Sequence, residues 1–354
     1  MKQFFYSLLL VVCFSFPGFS QEKSDVKVTF SGFLETYYSY DFNQPQTEKK
    51  LPFLYNYNRH NEFNVNLGLL RAKLEYENMY GSIALHSGTY VEDNYANEKI
   101  KYISEAYLGL YLDQNKKQTI EVGIMPSHIG FESATTATNL TLTRSILAEN
   151  SPYFVTGLKY SYKPSEKWNF SGLILNGWQR ISKPEKNSIP SIGTQIIYKP
   201  SDKSTFNWSN FVGREYYGSE LLMRYFTNIY WDYKWNSKWR TISGFDFGLQ
   251  DTSSRNEVHA NWFSPVIIAQ YTINSKWQTA LRAEYYQDVK NVMIDTPGAF
   301  KTAGASLNFD YLINSKMKFR TEARYFDSKE KVFVKNNQLT TGDFFITTSL
   351  SFEF

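Results

Sequence analysis

The residues of this chain whose types could do chemistry are four histidines and several rows of acids and bases set two residues apart. His60, His86, His128 and His259 are scattered, and none has a histidine or cysteine partner at metal-ligand spacing. The one cysteine, Cys13, lies in an apolar leader, so no disulfide or thiol chemistry is expected of the remainder. No phosphate-binding Gly loop and no Gly-x-Ser-x-Gly elbow occurs. His86-Ser87 could supply a hydrolytic pair, but Ile83 and Leu85 set the oily phase of their segment and turn His86 the other way. A carboxylate pair would have to come from distant segments. No catalytic residue, cofactor site or metal site is expected.

The charged rows carry more information. Lys318, Arg320, Glu322 and Arg324 alternate with Met317, Phe319, Thr321, Ala323 and Tyr325. Similar rows are Arg224, Asn228, Asp232 and Lys234, then Lys238, Arg240 and Asp246, then Gln278, Arg282 and Glu284. Near the start, Val28, Phe30, Leu34, Tyr38, Tyr40 and Phe42 oppose Lys27, Thr29, Ser31, Glu35, Ser39 and Asp41. A period of two is that of a strand with one oily and one wet face. If the oily face meets lipid, each Arg or Lys turned outward costs ~2–4 kcal/mol near the midplane, so reversing the 317–325 strand would cost ~6–12 kcal/mol. Arg224, Asp232, Arg240, Asp246, Arg282, Glu284, Lys318, Arg320, Glu322 and Arg324 are therefore expected to face an aqueous interior.

Recurring turns position these rows. Pro164-Ser165-Glu166-Lys167, Pro200-Ser201-Asp202-Lys203, Asn236-Ser237-Lys238, Asn274-Ser275-Lys276 and Asn314-Ser315-Lys316 place serines 36, 36, 38 and 40 residues apart. Asn, Pro and Ser favour tight turns, and alternating runs flank each one. Each interval holds two strands of roughly 10–14 residues and one longer loop, too long for propeller blades. With turns at Asn78-Met79-Tyr80-Gly81 and Asp113–Lys117, seven hairpins and two terminal strands give about sixteen strands. The expected fold class is all-β, a transmembrane antiparallel up-and-down barrel whose even count suits closure.

Composition agrees. The 354 residues include 27 Tyr, 28 Phe and 8 Trp, yet the mean hydropathy is −0.44 and no segment after the leader reaches the length of a spanning helix. Half of each barrel strand faces water, and Tyr and Trp favour the bilayer interfaces. A formal net charge of +4, with acids and bases interspersed, does not suggest a nucleic-acid partner. Lys2, the apolar run Phe4–Phe16 and Pro17-Gly18-Phe19-Ser20 have the anatomy of a signal peptide cleaved after Ser20. Residues 1–20 are thus read as leader and 21–354 as barrel. The last strand, with Leu350, Phe352 and Phe354 on one face, resembles the closing strand of bacterial outer-membrane barrels. That resemblance implies an assembly signal for the barrel-assembly machinery and outer-membrane lipid as surroundings.

One segment breaks the rhythm. The interval from Gln114 to Ser165 is 51 residues, and the excess, residues 126–152 after the fifth strand, is neither strand-like nor turn-like. It is expected to act as a constriction loop carrying Glu132, Arg144 and Glu149, with a short helix within 139–148. Glu121-Val122-Gly123-Ile124-Met125, Ile129-Gly130-Phe131-Glu132, Thr143-Arg144-Ser145, Pro152, Gly157 and Asn176-Gly177-Trp178 resemble the Bacteroidetes-type β-barrel porins of the OmpL-like, second porin group. The resemblance runs from about Val28 to Phe354. It implies passive diffusion of small hydrophilic solutes across a Gram-negative outer membrane. It leaves open a homo-oligomer, and a scaffold or adhesin acting through its loops is the alternative.

Overall fold

The computed structural model describes residues 26–254 and 258–354. The expected leader, residues 1–20, lies outside them. The first third of the described chain forms β1 (Lys27–Asp41), β2 (Phe63–Tyr76), β3 (Met79–Ser87), helix α1 (Thr89–Asn94), β4 (Ile103–Tyr111) and β5 (Gln118–Pro126). After the one-turn helix α2 (Ile146–Glu149) come β6 (Phe154–Ser165), β7 (Trp168–Leu175), β8 (Ser191–Ser201), β9 (Ser204–Tyr217) and β10 (Glu220–Lys234). The remainder comprises β11 (Trp239–Asp251), β12 (His259–Thr272), β13 (Trp277–Asp288), β14 (Phe300–Leu312), β15 (Met317–Ser328), β16 (Phe333–Lys335), β17 (Gln338–Thr340) and β18 (Gly342–Glu353). Among the described residues, β16 and β17 pair only with each other, and the other sixteen strands close into an antiparallel barrel.

Closure is made by β1 and β18, registered from Phe33 opposite Glu353 to Asp41 opposite Phe345. The seam ends in reciprocal backbone bonds between Gly32 and Phe354, at 2.9 and 3.0 Å. The Phe354 ring lies over Gly32, where a Cβ would come within 2.3 Å of it. Leu350, Phe352 and Phe354 face outward.

The repeated turns owe their shape to one side-chain oxygen. Asn236 Oδ1 accepts from the Lys238 and Trp239 amides at 2.8 and 3.0 Å, and Asn274 repeats this with Lys276 and Trp277 at 2.9 and 3.0 Å. Asn314 Oδ1 accepts from the Lys316 amide at 2.9 Å, while Ser165 and Ser201 hydroxyls accept from Lys167 and Lys203 at 3.3 and 3.4 Å. Each motif thereby offers a turn that competes with strand continuation. The first turn lies at Glu77–Asn78, one residue earlier than its motif suggested, with Glu77 at φ 51°. On the long-loop side, β9 and β10 are joined by only Gly218-Ser219, because these strands lengthen to 14 and 15 residues.

The outer face carries the apolar phase: Phe30, Leu70, Leu108, Ile192, Ile267 and Leu281 are all exposed. Near the short turns, Trp168, Trp231, Trp235, Trp239 and Trp277 are exposed together, the last two packed on Tyr271 and Tyr311 with ring centroids 4.7 Å apart. This is an interfacial aromatic girdle. No helix among the described residues is long and apolar enough to cross a membrane.

Candidate functional site

Inside the barrel, the inward phase of the strands meets two loops that fold into the lumen. We call residues 127–153, between β5 and β6, L3, and residues 42–62, between β1 and β2, L1. L3 departs from a close strand pairing in which Gly123 and Gly157 are register partners. Gly123 has φ 135°, and a Cβ there would come within 2.1 Å of the Ala106 carbonyl oxygen. Only glycine fits such a position without displacing the neighbouring strand.

L3 then crosses the lumen. At its start, the His128 ring bonds the Asn210 carbonyl at 2.9 Å, and the His128 carbonyl accepts from Gln195 and Ser209, both at 2.7 Å. Its middle reaches the opposite wall. Arg320 donates to the Thr136 and Asn139 carbonyls at 3.0 and 3.1 Å, and Lys318 to the Ala137 carbonyl at 3.0 Å. The Leu142, Thr143 and Ile146 amides donate to Asn308, Glu322 and Glu284 at 3.0, 2.6 and 2.7 Å. Arg282 donates to the Thr143 carbonyl at 2.6 Å and Arg324 to the Arg144 carbonyl at 2.8 Å.

These bonds explain both the charged rows and the shape of L3. Irregular backbone at membrane depth must have its polar groups satisfied within the protein. The wall supplies the partners, so L3 does not need helical hydrogen bonds. Of the helix expected within 139–148, only the single turn of α2 forms, capped by the Ser145 hydroxyl at 3.2 Å, and a separate 3-10 turn at Thr136–Thr138 precedes it.

The charges also satisfy one another. Arg282 lies 2.7 Å from Glu322 and 3.2 Å from Glu284, Arg324 2.6 Å from Glu284, and Arg320 2.7 Å from Asp310. Arg282, Glu284, Arg320, Glu322 and Arg324 face the interior as expected, yet L3 covers them, so they meet protein rather than water. Arg224 and Asp246 are buried too. Arg224 bonds Gln250 at 2.9 Å between the Trp178 and Trp262 rings, and Asp246 accepts from Asn228. Lys318 is half-buried beneath L3. Asp232 and Arg240 instead form a bidentate pair, at 2.7 and 2.9 Å, whose side chains stay 20% and 32% exposed in a cavity.

The three residues expected in the loop separate likewise. Glu132 accepts from the Ser145 amide and hydroxyl and lines two cavities. Arg144 is buried between the Tyr90 and Tyr153 rings, 4.9 and 4.4 Å from their centroids, and lies 3.8 Å from Glu149. Burial pushes the Glu132 and Glu149 carboxyls above their usual range, with Arg282 and Arg144 respectively pulling them back.

L1 was not foreseen as a lumen element. Its Leu51, Phe53 and Leu54 are buried, and Phe53 packs edge-on against Phe300, Phe326 and Phe333 at 4.9, 5.7 and 6.3 Å. Glu149 of L3 accepts from the Tyr55 amide at 2.9 Å and the Asn56 side chain at 3.0 Å, while Arg59 and Lys49 pair with Asp93 of α1. The signal was present: Leu51-Pro52-Phe53-Leu54-Tyr55 is an apolar run where a solvated loop would be polar.

What stays open lies along the other wall. A cavity of about 1090 Å³ sits at the short-turn end against β5–β11, a second of about 340 Å³ lies between L3 and β2–β4, and one of about 120 Å³ lies near Tyr230. The small cavity shares Thr205, Asp232 and Arg240 with the large one and Phe131, Glu132 and Tyr230 with the other. Phe131 and Tyr230 meet edge to face at 5.4 Å. Among the described residues, no group of three His, Cys, Asp or Glu could hold a metal ion.

A closed sixteen-stranded cylinder with an apolar exterior, an aromatic girdle and polar cavities inside defines a β-barrel of the outer-membrane porin class. Residues 27–354 match the family described as "Putative beta-barrel porin-2, OmpL-like", and the chain belongs to it. It is an outer-membrane porin. Among solved structures, the outer-membrane channel DcaP of Acinetobacter baumannii is 14% identical, covers 95% of this chain and 99% of its own, and superposes with a TM-score of 0.64. An anion-selective porin from Comamonas acidovorans (9% identity, 93% and 100% coverage, TM-score 0.62) and the trimer form of Vibrio cholerae OmpT (10%, 93% and 99%, 0.58) share the fold. A search of curated proteins finds no match.

Proposed function

We propose that small hydrophilic solutes diffuse along the β5–β11 side of the lumen, with L3 as the constriction. The observation that carries this reading is the attachment of the middle of L3, residues 136–146, to one wall, with His128 at its start as the tie to the other. Its backbone is bonded to Arg282, Glu284, Arg320, Glu322 and Arg324 on one wall, while Glu132, Asp232 and Arg240 line the cavities on the other side. Of the expected interior charges, Asp232 and Arg240 are then the pair a passing solute meets, Arg282, Glu284, Lys318, Arg320, Glu322 and Arg324 hold the loop, and Arg224 and Asp246 are buried against neighbouring wall residues. Phe131 and Tyr230 mark the neck.

The reading includes no hydrolytic role, since His86 is buried inside and Ser87 lies on the opposite phase. Leu350, Phe352 and Phe354 serve the barrel-assembly machinery in this proposal, and a homo-oligomer is the working assembly because a similar barrel has a trimer form. Planar-bilayer conductance tests the scheme. Trimming residues 133–150 should raise single-channel conductance at least ~twofold by widening the constriction. A folded protein with no conductance, or a trimmed barrel with unchanged conductance, overturns the proposed path.

A further inference from the structure

The cavity at the short-turn end is a basic chamber. Nine Lys or Arg side chains line it against four acids, Glu121, Glu166, Asp202 and Asp232. Three of those acids are already engaged, by Lys159 at 3.0 Å, Lys163 at 2.7 Å and Arg240 at 2.7 Å. Among the described residues, Lys116, Lys117, Lys167, Lys199, Lys203 and Lys234 line the chamber with no carboxylate at ion-pair distance. Lys199 and Lys234 stand on the inward phase of β8 and β10, opposite the outward Tyr198 and Trp231. The remaining four come from three successive turns, so one arc of the rim gathers them. A chamber of about 1090 Å³ is roughly 13 Å across as a sphere, little more than the screening length of about 10 Å near 0.1 M salt, so a solute at its centre feels these charges together.

We propose that this chamber is a binding site for small polyanions, solutes carrying three or more negative charges such as phosphate esters or polycarboxylates. They would be held at the short-turn mouth and released by exchange. Asp202 is the one acid in the chamber left to oppose them, and the Lys159–Glu121 and Arg240–Asp232 pairs form its floor. The proposal rests on the channel reading, because a solute reaches or leaves the chamber through the lumen.

The test is block of ion current by sodium tripolyphosphate in neutral phosphatidylcholine bilayers, which removes anionic lipid headgroups as an alternative source of phosphate. Sidedness is assigned with Ser237→Cys and a membrane-impermeant thiol reagent. Block should occur from the short-turn side at ~tenfold lower concentration than from the other side, as a one-sided field requires. Replacing Lys167, Lys199, Lys203 and Lys234 together by Gln should raise the blocking concentration at least ~fivefold while the barrel still folds and conducts. Equal block from both sides, or block unchanged in the quadruple variant, overturns the site. If no current flows in any bilayer, the channel reading fails separately. Calorimetric titration of the detergent-folded protein with tripolyphosphate then decides the chamber: binding lost in the quadruple variant supports it, and no binding rejects it.

Discussion

The β13–β15 wall and the short-turn part of the β5–β11 wall are built from the same alternation of apolar and charged residues, and they end in opposite states. On the first, Arg282, Glu284, Arg320, Glu322 and Arg324 are sealed under L3 and bonded to its backbone. On the second, Asp232, Arg240 and a set of lysines face a chamber. The difference lies in what covers the charges. A covered charge must have a partner, because its desolvation is costly, and here the partners are a loop's amides and carbonyls as well as other charges. An uncovered charge keeps its water and contributes a field rather than a tether.

The comparison is most severely tested by Arg282→Ala, which would leave Glu284 and Glu322 buried with one cation fewer. Loss of one partner from such a network costs about 3–5 kcal/mol, read as urea unfolding of the detergent-folded barrel, whereas Lys199→Gln on the open wall should change it by less than about 0.5 kcal/mol. Equal losses at the two sites would erase the distinction.

Phe53→Ala asks whether L1 is held in the lumen by packing. Removal of a fully buried Phe from an aromatic cluster costs about 3 kcal/mol at the low end of the usual range, and L1 should become susceptible to limited proteolysis. A loop that stays resistant would assign its hold to Glu149 and Asp93 instead.

His128 connects L3 to the open wall and supplies a pH dependence. Burial lowers its imidazole from 6.5 to about 4, against the opposing pull of the Asn210 carbonyl. Between these values the unfolded chain binds a proton that the folded loop does not. The stability it contributes is therefore fully present above pH 6.5 and is lost as pH falls toward 4, by no more than about 3 kcal/mol. Conductance noise or proteolysis of L3 should rise over that window in the native protein and not in His128→Gln.

The smallest effect is expected of Asp232→Asn. The Asp232–Arg240 pair is partly solvated, so its loss should cost under about 1 kcal/mol while shifting ion selectivity toward anions in reversal-potential measurements. A large stability loss there would mean that this wall too is structural.

How much of this was readable differs from one element to the next. The five Asn-Ser-Lys or Pro-Ser motifs mark five of the seven short turns, because one side-chain oxygen accepting a nearby amide is a local interaction. The inward and outward phases were readable for a similar reason, since strand pleat and the cost of a charge in lipid act residue by residue. The part played by L1 was not read, although Leu51–Tyr55 was an apolar clue, because its partners Phe300, Phe326 and Phe333 are more than 240 positions away. Nor did Arg320 and Arg240 differ in any sequence property that would place one under a loop and the other in a chamber.

The amino-acid sequence by itself determined a sixteen-stranded cylinder, its lipid-facing side, its closing strand at Phe354 and the position of the loop after the fifth strand. Each follows from period-two alternation and local turn chemistry. Only the tertiary structure decided which wall L3 would lean on, that L1 would enter the lumen beside it, and which charges would therefore be tethers. Alternation fixes the face a side chain takes, but what covers that face is set by contacts such as Thr143 with Glu322, 179 residues apart, which exist only once the cylinder has closed.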